Sequence, residues 1–161
     1  MNSKKYGISD FTKMGHVGVV VKDIDKAIAF LEKLGIGPFD VGGGKKTFTI
    51  PFKGELHGRP AQWKTTISFA KMGDTELELL EPTEGPQALK ESLDATGEGL
   101  HHIGLLTDDL DAEVEHFKKN GIGIWTLARE EDGGGFLYSD PTPIGGIAIE
   151  FRKIGAPPPG E

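Results

Sequence analysis

The sequence predicts an α+β fold in which paired βαβββ modules form one cup-shaped mixed sheet. Three observations lead there. The stretch Gly99–Asp111, GLHHIGLLTDDLD, is an imperfect copy of Gly15–Asp25, GHVGVVVKDID, so one structural unit is used twice. Each copy is a short β-branched run followed by apolar residues at helical spacing. Each is then followed by further short strand-like runs that end in an alternating segment, ELELLEP in the first half and GGIAIEF in the second.

Taken in order, residues 1–12 read as a polar arm in which Tyr6, Ile8 and Phe11 could pack against a neighbour. His16–Val21 reads as a strand, with His16, Gly18 and Val20 on one face and Val17, Val19 and Val21 on the other. Asp23 or Asp25 caps a helix carrying Ile24, Ala27, Ile28, Leu31 and Leu34, which stops at Gly35. Its natural partner is the Val17, Val19, Val21 face, which leaves His16 on the side of the sheet away from the helix. Residues 36–62 read as a Gly-rich turn, a strand near Thr47–Phe52 and a polar excursion with His57 and Arg59. Strands near Thr65–Ala70 and Glu76–Leu80 follow; Leu77 and Leu79 join the helix side, and Glu78 shares a face with His16. Glu81 falls out of that register.

Gln87–Leu93 is a short amphipathic connector helix carrying Ala88, Leu89 and Leu93. The second copy then repeats the order. His102–Thr107 is a strand, Asp108 or Asp109 caps a helix with Leu110, Val114 and Phe117 inward, and Gly121 ends it. Strands near Ile124–Ala128, Gly135–Ser139 and Ile147–Phe151 complete the unit, with Ala148 and Glu150 turned away from the helix. The expected organisation is a first module at 13–82, a connector at 83–98, a second module at 99–154 and a mobile tail at 155–161. The His-to-Glu spacing is 62 residues in the first half and 48 in the second. The surplus of 14 falls most easily in residues 42–62, where it suggests a substrate loop. The glycines at 42–44 and 133–135 lack a phosphate-loop context and read as flexible turns that could serve as flaps over the site.

Composition narrows the function. A formal net charge of −7 with no run of Lys or Arg argues against nucleic-acid and lipid surfaces. No apolar run approaches a membrane span, and the first ten residues lack the apolar core of a secretory leader, so the cytoplasm is the expected location. With no cysteine, thiolate catalysis, disulfides and thiolate metal sites are excluded, and any metal must be held by His and carboxylate.

Each half contributes one His from its first strand and one Glu from its last: His16 and Glu78, then His102 and Glu150. A lone strand histidine or a Glu between apolar neighbours is usually structural, but recurrence of the same types at the same places in both copies points to a shared site. Two imidazoles and two carboxylates form a nitrogen and oxygen donor set suited to divalent Zn, Ni, Co, Mn or Fe. His101 points to the opposite face from His102 and reads as a supporting or structural group; His57 and His116 read as ordinary loop and helix residues. Arg59, Gln62, Trp63 and Tyr138 are candidates for contact with a small polar substrate. Exposed sheet edges in such modules make a homodimer plausible.

The segments HVGVVVKDIDKAIAF, ELELLEP, GLHHIGLLTDDLD and GGIAIEF resemble the vicinal oxygen chelate superfamily, which includes glyoxalase I, methylmalonyl-CoA epimerase, extradiol dioxygenases and the bleomycin and fosfomycin resistance proteins. The resemblance runs from about Gly15 to Arg152 and is strongest to the epimerase and glyoxalase-like branch. It implies a cup closed around one divalent ion, with His16, Glu78, His102 and Glu150 as ligands and Glu150 moving protons. It also implies a second catalytic carboxylate on the strand preceding ELELLEP. Gln62 aligns there, and glutamine accepts no proton at neutral pH. Two-base epimerisation then needs Glu55, Glu76 or another acid, and no basic cluster stands ready for coenzyme A phosphates. The expected activity is that of a divalent-metal-dependent isomerase, epimerase or lyase acting on a small hydroxy-carbonyl, dicarbonyl or thioester substrate through an enolate or enediolate whose charge the ion stabilises. The alternatives are a non-catalytic binding or sequestration protein of the same fold and an extradiol-type dioxygenase. Glu78 in a fourth ligand position argues against the latter.

Overall fold

The computed structural model describes residues 14–156. The predicted N-terminal arm, position 13 of the first module and residues 157–161 of the predicted tail lie outside them. Strand β1 (Met14–Val20) leads into Asp23, whose carboxylate accepts the Lys26 N–H at 3.0 Å and caps helix α1 (Ile24–Lys33). Glu81, out of register with Glu78, turns outward, and its Oε2 accepts the Ile24 N–H at 2.8 Å, placing a second negative charge at the same helix end. The second half repeats this arrangement: strand β5 (Gly99–Leu106) precedes helix α3 (Leu110–Lys119), and Asp109 accepts the Ala112 N–H at 3.0 Å.

Helix α1 buries Ile24 and Ile28 against Val19, Val21, Leu77 and Leu79, and α3 buries Leu110, Val114 and Phe117 against Leu137 and Phe151. Burial of these apolar stripes is what fixes the helices to the outside of the sheet. Leu34, expected in the first stripe, is 62% exposed; Phe39 from the following loop completes that cluster instead.

Between α1 and the connector run strands β2 (Phe48–Leu56), β3 (Arg59–Met72) and β4 (Thr75–Glu84). The polar excursion expected around His57 and Arg59 is a continuous hairpin. β2 and β3 pair from Phe48↔Ile67 to Leu56↔Arg59, with only His57 and Gly58 turning the chain at φ 51° and 74°. The surplus of the first half therefore lengthens a hairpin and forms no free substrate loop there. Helix α2 (Ala88–Thr96) is joined to β3 by the buried Gln87. Its Oε1 accepts from Thr65 Oγ1 at 2.7 Å, and its Nε2 donates to the Lys64 and Glu84 carbonyls at 2.9 and 3.0 Å. The second half adds β6 (Ile124–Arg129), β7 (Gly135–Ser139), a 3-10 turn at Thr142–Ile144 and β8 (Ala148–Lys153).

The eight strands close into a barrel in the order β1-β4-β3-β2-β6-β7-β8-β5. β1 with β4 and β5 with β8 are parallel, and every other pair is antiparallel. The halves meet twice, where β1 pairs β5 and where β2 pairs β6. β2 meets β6 only at Gly54–Leu56, so the expected exposed edge is confined to the side of Phe48–Lys53 that faces away from β3. Inside, Leu56, Trp63, Ala88, Trp125, Phe136, Tyr138 and neighbours pack together and leave a cavity beside them. No described helix is long and apolar enough to cross a membrane.

Candidate metal centre

The register at the β1–β5 junction explains how four distant residues meet. One row across the sheet reads Glu78, Gly18, His102, Ala148, and the next reads Glu76, His16, Gly104, Glu150. Within each row a glycine separates an imidazole from a carboxylate, and both side chains lean over it. A Cβ on Gly18 would stand 2.1 Å from His102 Cε1, and one on Gly104 would stand 2.2 Å from His16 Cε1. The two glycines are thus seats for the imidazoles of the opposite half. The signal was present in the sequence as His-x-Gly in both copies, but pairing across the junction is needed to read it.

The donor atoms crowd one point. His16 Nε2 lies 3.0 Å from His102 Nε2, 3.3 Å from Glu78 Oε2 and 2.5 Å from Glu150 Oε2; His102 Nε2 lies 3.2 and 3.6 Å from those same oxygens. Ligands about 2.1 Å from a shared cation stand roughly 3.0–3.4 Å from one another, so the spacings among His16, Glu78 and His102 fit one ion, whereas Glu150 at 2.5 Å from His16 is in ion-pair contact with that imidazole. His16, Glu78 and His102 form the compact group, with donor atoms all within 4.8 Å of one another; Glu150 stands outside that group of three while approaching both imidazoles. Glu150 Oε2 is buried without a well-aligned hydrogen bond, an acceptor that a cation would satisfy. The set of two imidazole nitrogens and carboxylate oxygens fits a borderline divalent ion.

Electrostatics follow from the same crowding. Burial opposes charge on His16, but the Glu150 hydrogen bond and the charges of Glu150, Glu78 and Glu76 outweigh it and raise its pKa to about 9. Burial pushes Glu150 up, but the charge beside it at His102, the hydrogen bond and charge of His16, and Arg152 prevail and hold it below the usual carboxylate range. His101, excluded from water and beside His102, is lowered to about 3 and stays neutral. Tyr138 is raised well above its ordinary value by burial and by Glu150 and Glu78, so its hydroxyl keeps its proton.

His16, Glu78 and Glu150 line a cavity of about 470 Å³, while the fully buried His102 does not. Its first-half wall is largely apolar: Ile50 and Phe52 from β2, and Trp63, Thr65, Ile67 and Phe69 from β3. Ala88 and Leu89 of α2 also line it, so the segment read as a connector closes one side of the site. Among the four substrate candidates, Trp63 and Tyr138 line the cavity. Gln62 and Arg59 do not: Gln62 neighbours the inward Trp63 and is turned to the exposed face, and Arg59 sits exposed at the hairpin tip. The glycines at 42–44 and 133–135 do not line it either, which corrects the flap reading. Of the acids considered for a second base, Glu55 is exposed and Glu76 lines the cavity. Arg152 is the one Lys or Arg among the lining residues, and its guanidinium is held bidentately by Glu130 at 2.8 and 2.9 Å.

The sequence profile of the Glyoxalase/Bleomycin resistance protein/Dioxygenase superfamily matches residues 15–138. The chain belongs to this superfamily. Among curated relatives of this superfamily member, it is 26% identical over 147 residues to human mitochondrial methylmalonyl-CoA epimerase, covering 88% of this chain and 73% of that one. Its fold is similar to that of a Streptomyces coelicolor methylmalonyl-CoA epimerase variant in complex with 2-nitronate-propionyl-CoA, with TM-score 0.62 and 22% identity, covering 89% of this chain and 98% of that one. It is also similar to the epimerase from Mycobacterium tuberculosis, with TM-score 0.60 and 21% identity over 94% and 91% of the two chains. At these identities the solved structures speak for the superfamily fold.

Proposed function

We propose that this chain is a divalent-metal-dependent isomerase or epimerase that moves a proton on the carbon next to a carbonyl of a small hydroxy-carbonyl, dicarbonyl or thioester substrate. The observation that carries the reading is the meeting of His16, Glu78, His102 and Glu150 at separations of 2.5–3.6 Å beside a cavity of substrate size. His16, Glu78 and His102 would hold the ion, with Glu150 completing the set. Bound there, the ion supplies Lewis-acid stabilisation of the negative charge that develops on substrate oxygen as the neighbouring carbon loses its proton.

Glu150 is the proton carrier in this reading. It is ionised, buried and 2.5 Å from an imidazole that can balance its charge. Tyr138, protonated and against the His102 ring, is placed to donate a hydrogen bond into the cavity rather than to act as a base. The apolar wall of Ile50, Phe52, Ile67 and Phe69 excludes water from the developing charge. The inward positions of β2 and β3 that line the cavity carry no carboxylate, which favours transfer by Glu150 alone, with Glu76 as the available second acid.

The test begins with elemental analysis of protein purified without chelators, then zinc, nickel, cobalt, manganese and ferrous reconstitution. Each form is incubated in deuterated water with an acyl-CoA thioester, a glutathione hemithioacetal and a free hydroxyketone. Deuterium uptake at the carbon next to the carbonyl is expected with one of them, and Glu150→Gln should abolish it. Stoichiometric metal with no exchange on any substrate would favour the binding-protein reading, and full exchange by Glu150→Gln would remove that residue as carrier.

A further inference from the structure

His101 is fully buried, faces neither solvent nor the cavity, and has no place in the proton transfer just described. Its ring stacks on Trp125, with centroids 5.3 Å apart and planes 25° from parallel, and meets Tyr138 edge-on at 5.1 Å. Trp125 is itself fixed, its Nε1 donating to Glu91 Oε2 at 2.7 Å. His101 Nδ1 lies 2.9 Å from His102 Nδ1, and the Ala88 backbone is a second polar neighbour of the ring.

A contact between two ring nitrogens needs one proton, so one ring donates and the other accepts. Which is which is decided at the far side of His102, where Nε2 lies 3.0 Å from His16 Nε2 and 3.2 Å from Glu78 Oε2. A cation among these donors takes the Nε2 lone pair, so that nitrogen carries no proton in the loaded site. An imidazole so bound carries its proton at Nδ1, and the partner there is His101 Nδ1. His101 then accepts at Nδ1 and carries its own proton at Nε2, a buried atom without a well-aligned partner.

We infer that His101 is a positioning residue: by accepting the His102 Nδ1–H it locks the tautomer and ring orientation that turn the His102 Nε2 lone pair toward His16 and Glu78. The inference deepens the metal reading above and rests on it. Partners of this kind commonly tune ligand affinity by about 10- to 100-fold. Here the partner is a second imidazole, clamped by aromatic stacking instead of by charge.

The test has two arms. Long-range proton–nitrogen correlation spectra of the zinc-loaded, nitrogen-15-labelled protein should show His102 protonated at Nδ1 and His101 at Nε2; the reverse pattern overturns the proposal. In the second arm, zinc binding is measured by competition for the parent, His101→Phe and His101→Asn. Phe keeps the stack but accepts nothing, and should weaken zinc by about 10- to 100-fold; Asn returns an acceptor near Nδ1 and should recover most of the loss. Parent-like affinity in His101→Phe, with its circular dichroism unchanged, overturns the positioning role. Should His101→Phe fail to fold, His101→Asn and the spectrum of the parent still decide. If the parent binds no divalent ion at all, the metal reading fails and this proposal with it, whereas zinc binding by the parent that His101→Phe leaves unchanged overturns this proposal alone.

Discussion

Replacing Gly18 with alanine should remove metal binding while leaving the barrel folded. The backbone at Gly18 is ordinary extended strand, outside the positive-φ set, so a methyl group costs little by conformation. Its cost is spatial: the new Cβ would stand 2.1 Å from His102 Cε1, 2.4 Å from Nε2 and 2.5 Å from Nδ1. Carbon atoms in contact rest at about 3.5–4.0 Å, so the ring must retreat by more than about 1 Å. His102 is fully buried, with His101 and Tyr138 against it, so that retreat also disturbs packing. Overpacking of this kind costs about 1–3 kcal/mol, or roughly 2–12 °C in Tm for a chain of this size. A ligand displaced by about 1 Å is far outside the tolerance of about 0.2 Å for a metal bond, so zinc affinity should fall by about 100-fold or more. Titration calorimetry with zinc, and the visible spectrum of the cobalt form, would read this directly. Gly15→Ala is the control, because its Cβ meets nothing closer than 3.5 Å. If Gly18→Ala binds zinc as tightly as the parent, the glycine-seat account of the site is wrong.

Three further outcomes are expected. The His16 pKa, raised from 6.5 to about 9, contributes stability to the metal-free protein that is fully present below pH 6.5 and is lost as pH rises through 9. The contribution is at most about 3 kcal/mol, so Tm should fall across that window in the metal-free parent and fall less in metal-free Glu150→Gln, where only Glu78 and Glu76 still raise His16. Gly54→Ala should be more damaging than Gly18→Ala, because its Cβ would meet the Leu127 carbonyl oxygen at 2.2 Å, an atom of the backbone that cannot swing aside; the comparison is read by thermal melting. Trp63→Ala, removing a 5% exposed ring stacked on Phe52 at 5.7 Å, should cost about 3–5 kcal/mol in urea unfolding and enlarge the cavity.

Much of this arrangement was legible because strand parity and repetition are local properties. Val17, Val19, Leu77 and Leu79 alternate with His16, Gly18, Glu76 and Glu78, and that alternation sorts helix side from cavity side before any coordinates exist. Asp23 and Asp109 sit where a cap must sit. The failures came where partners distant in sequence decide. Gly54, His57, Gly58 and Pro60 weaken every strand signal between 53 and 60, and only pairing across the hairpin carries β2 and β3 through them. Gln62 and Trp63 could never both have faced the site, since neighbours on a strand point apart; placing Trp63 inward turns Gln62 out. Closure through β2 and β6 has no sequence signature, because Gly54 and Ala128 earn their proximity only by being small.

The two junctions of the barrel are unequal, and this bears on how it opens. β2 and β6 share three paired positions, whereas β1 and β5 share six and also hold the imidazoles that cross between the halves. An ion bound there acts as a rivet on the longer junction alone. Amide hydrogen exchange should then be slowest along β1 and β5 and quicken there on chelation, while the β2–β6 side behaves as a hinge that can gape to admit or release a bulky molecule without dismantling the coordination.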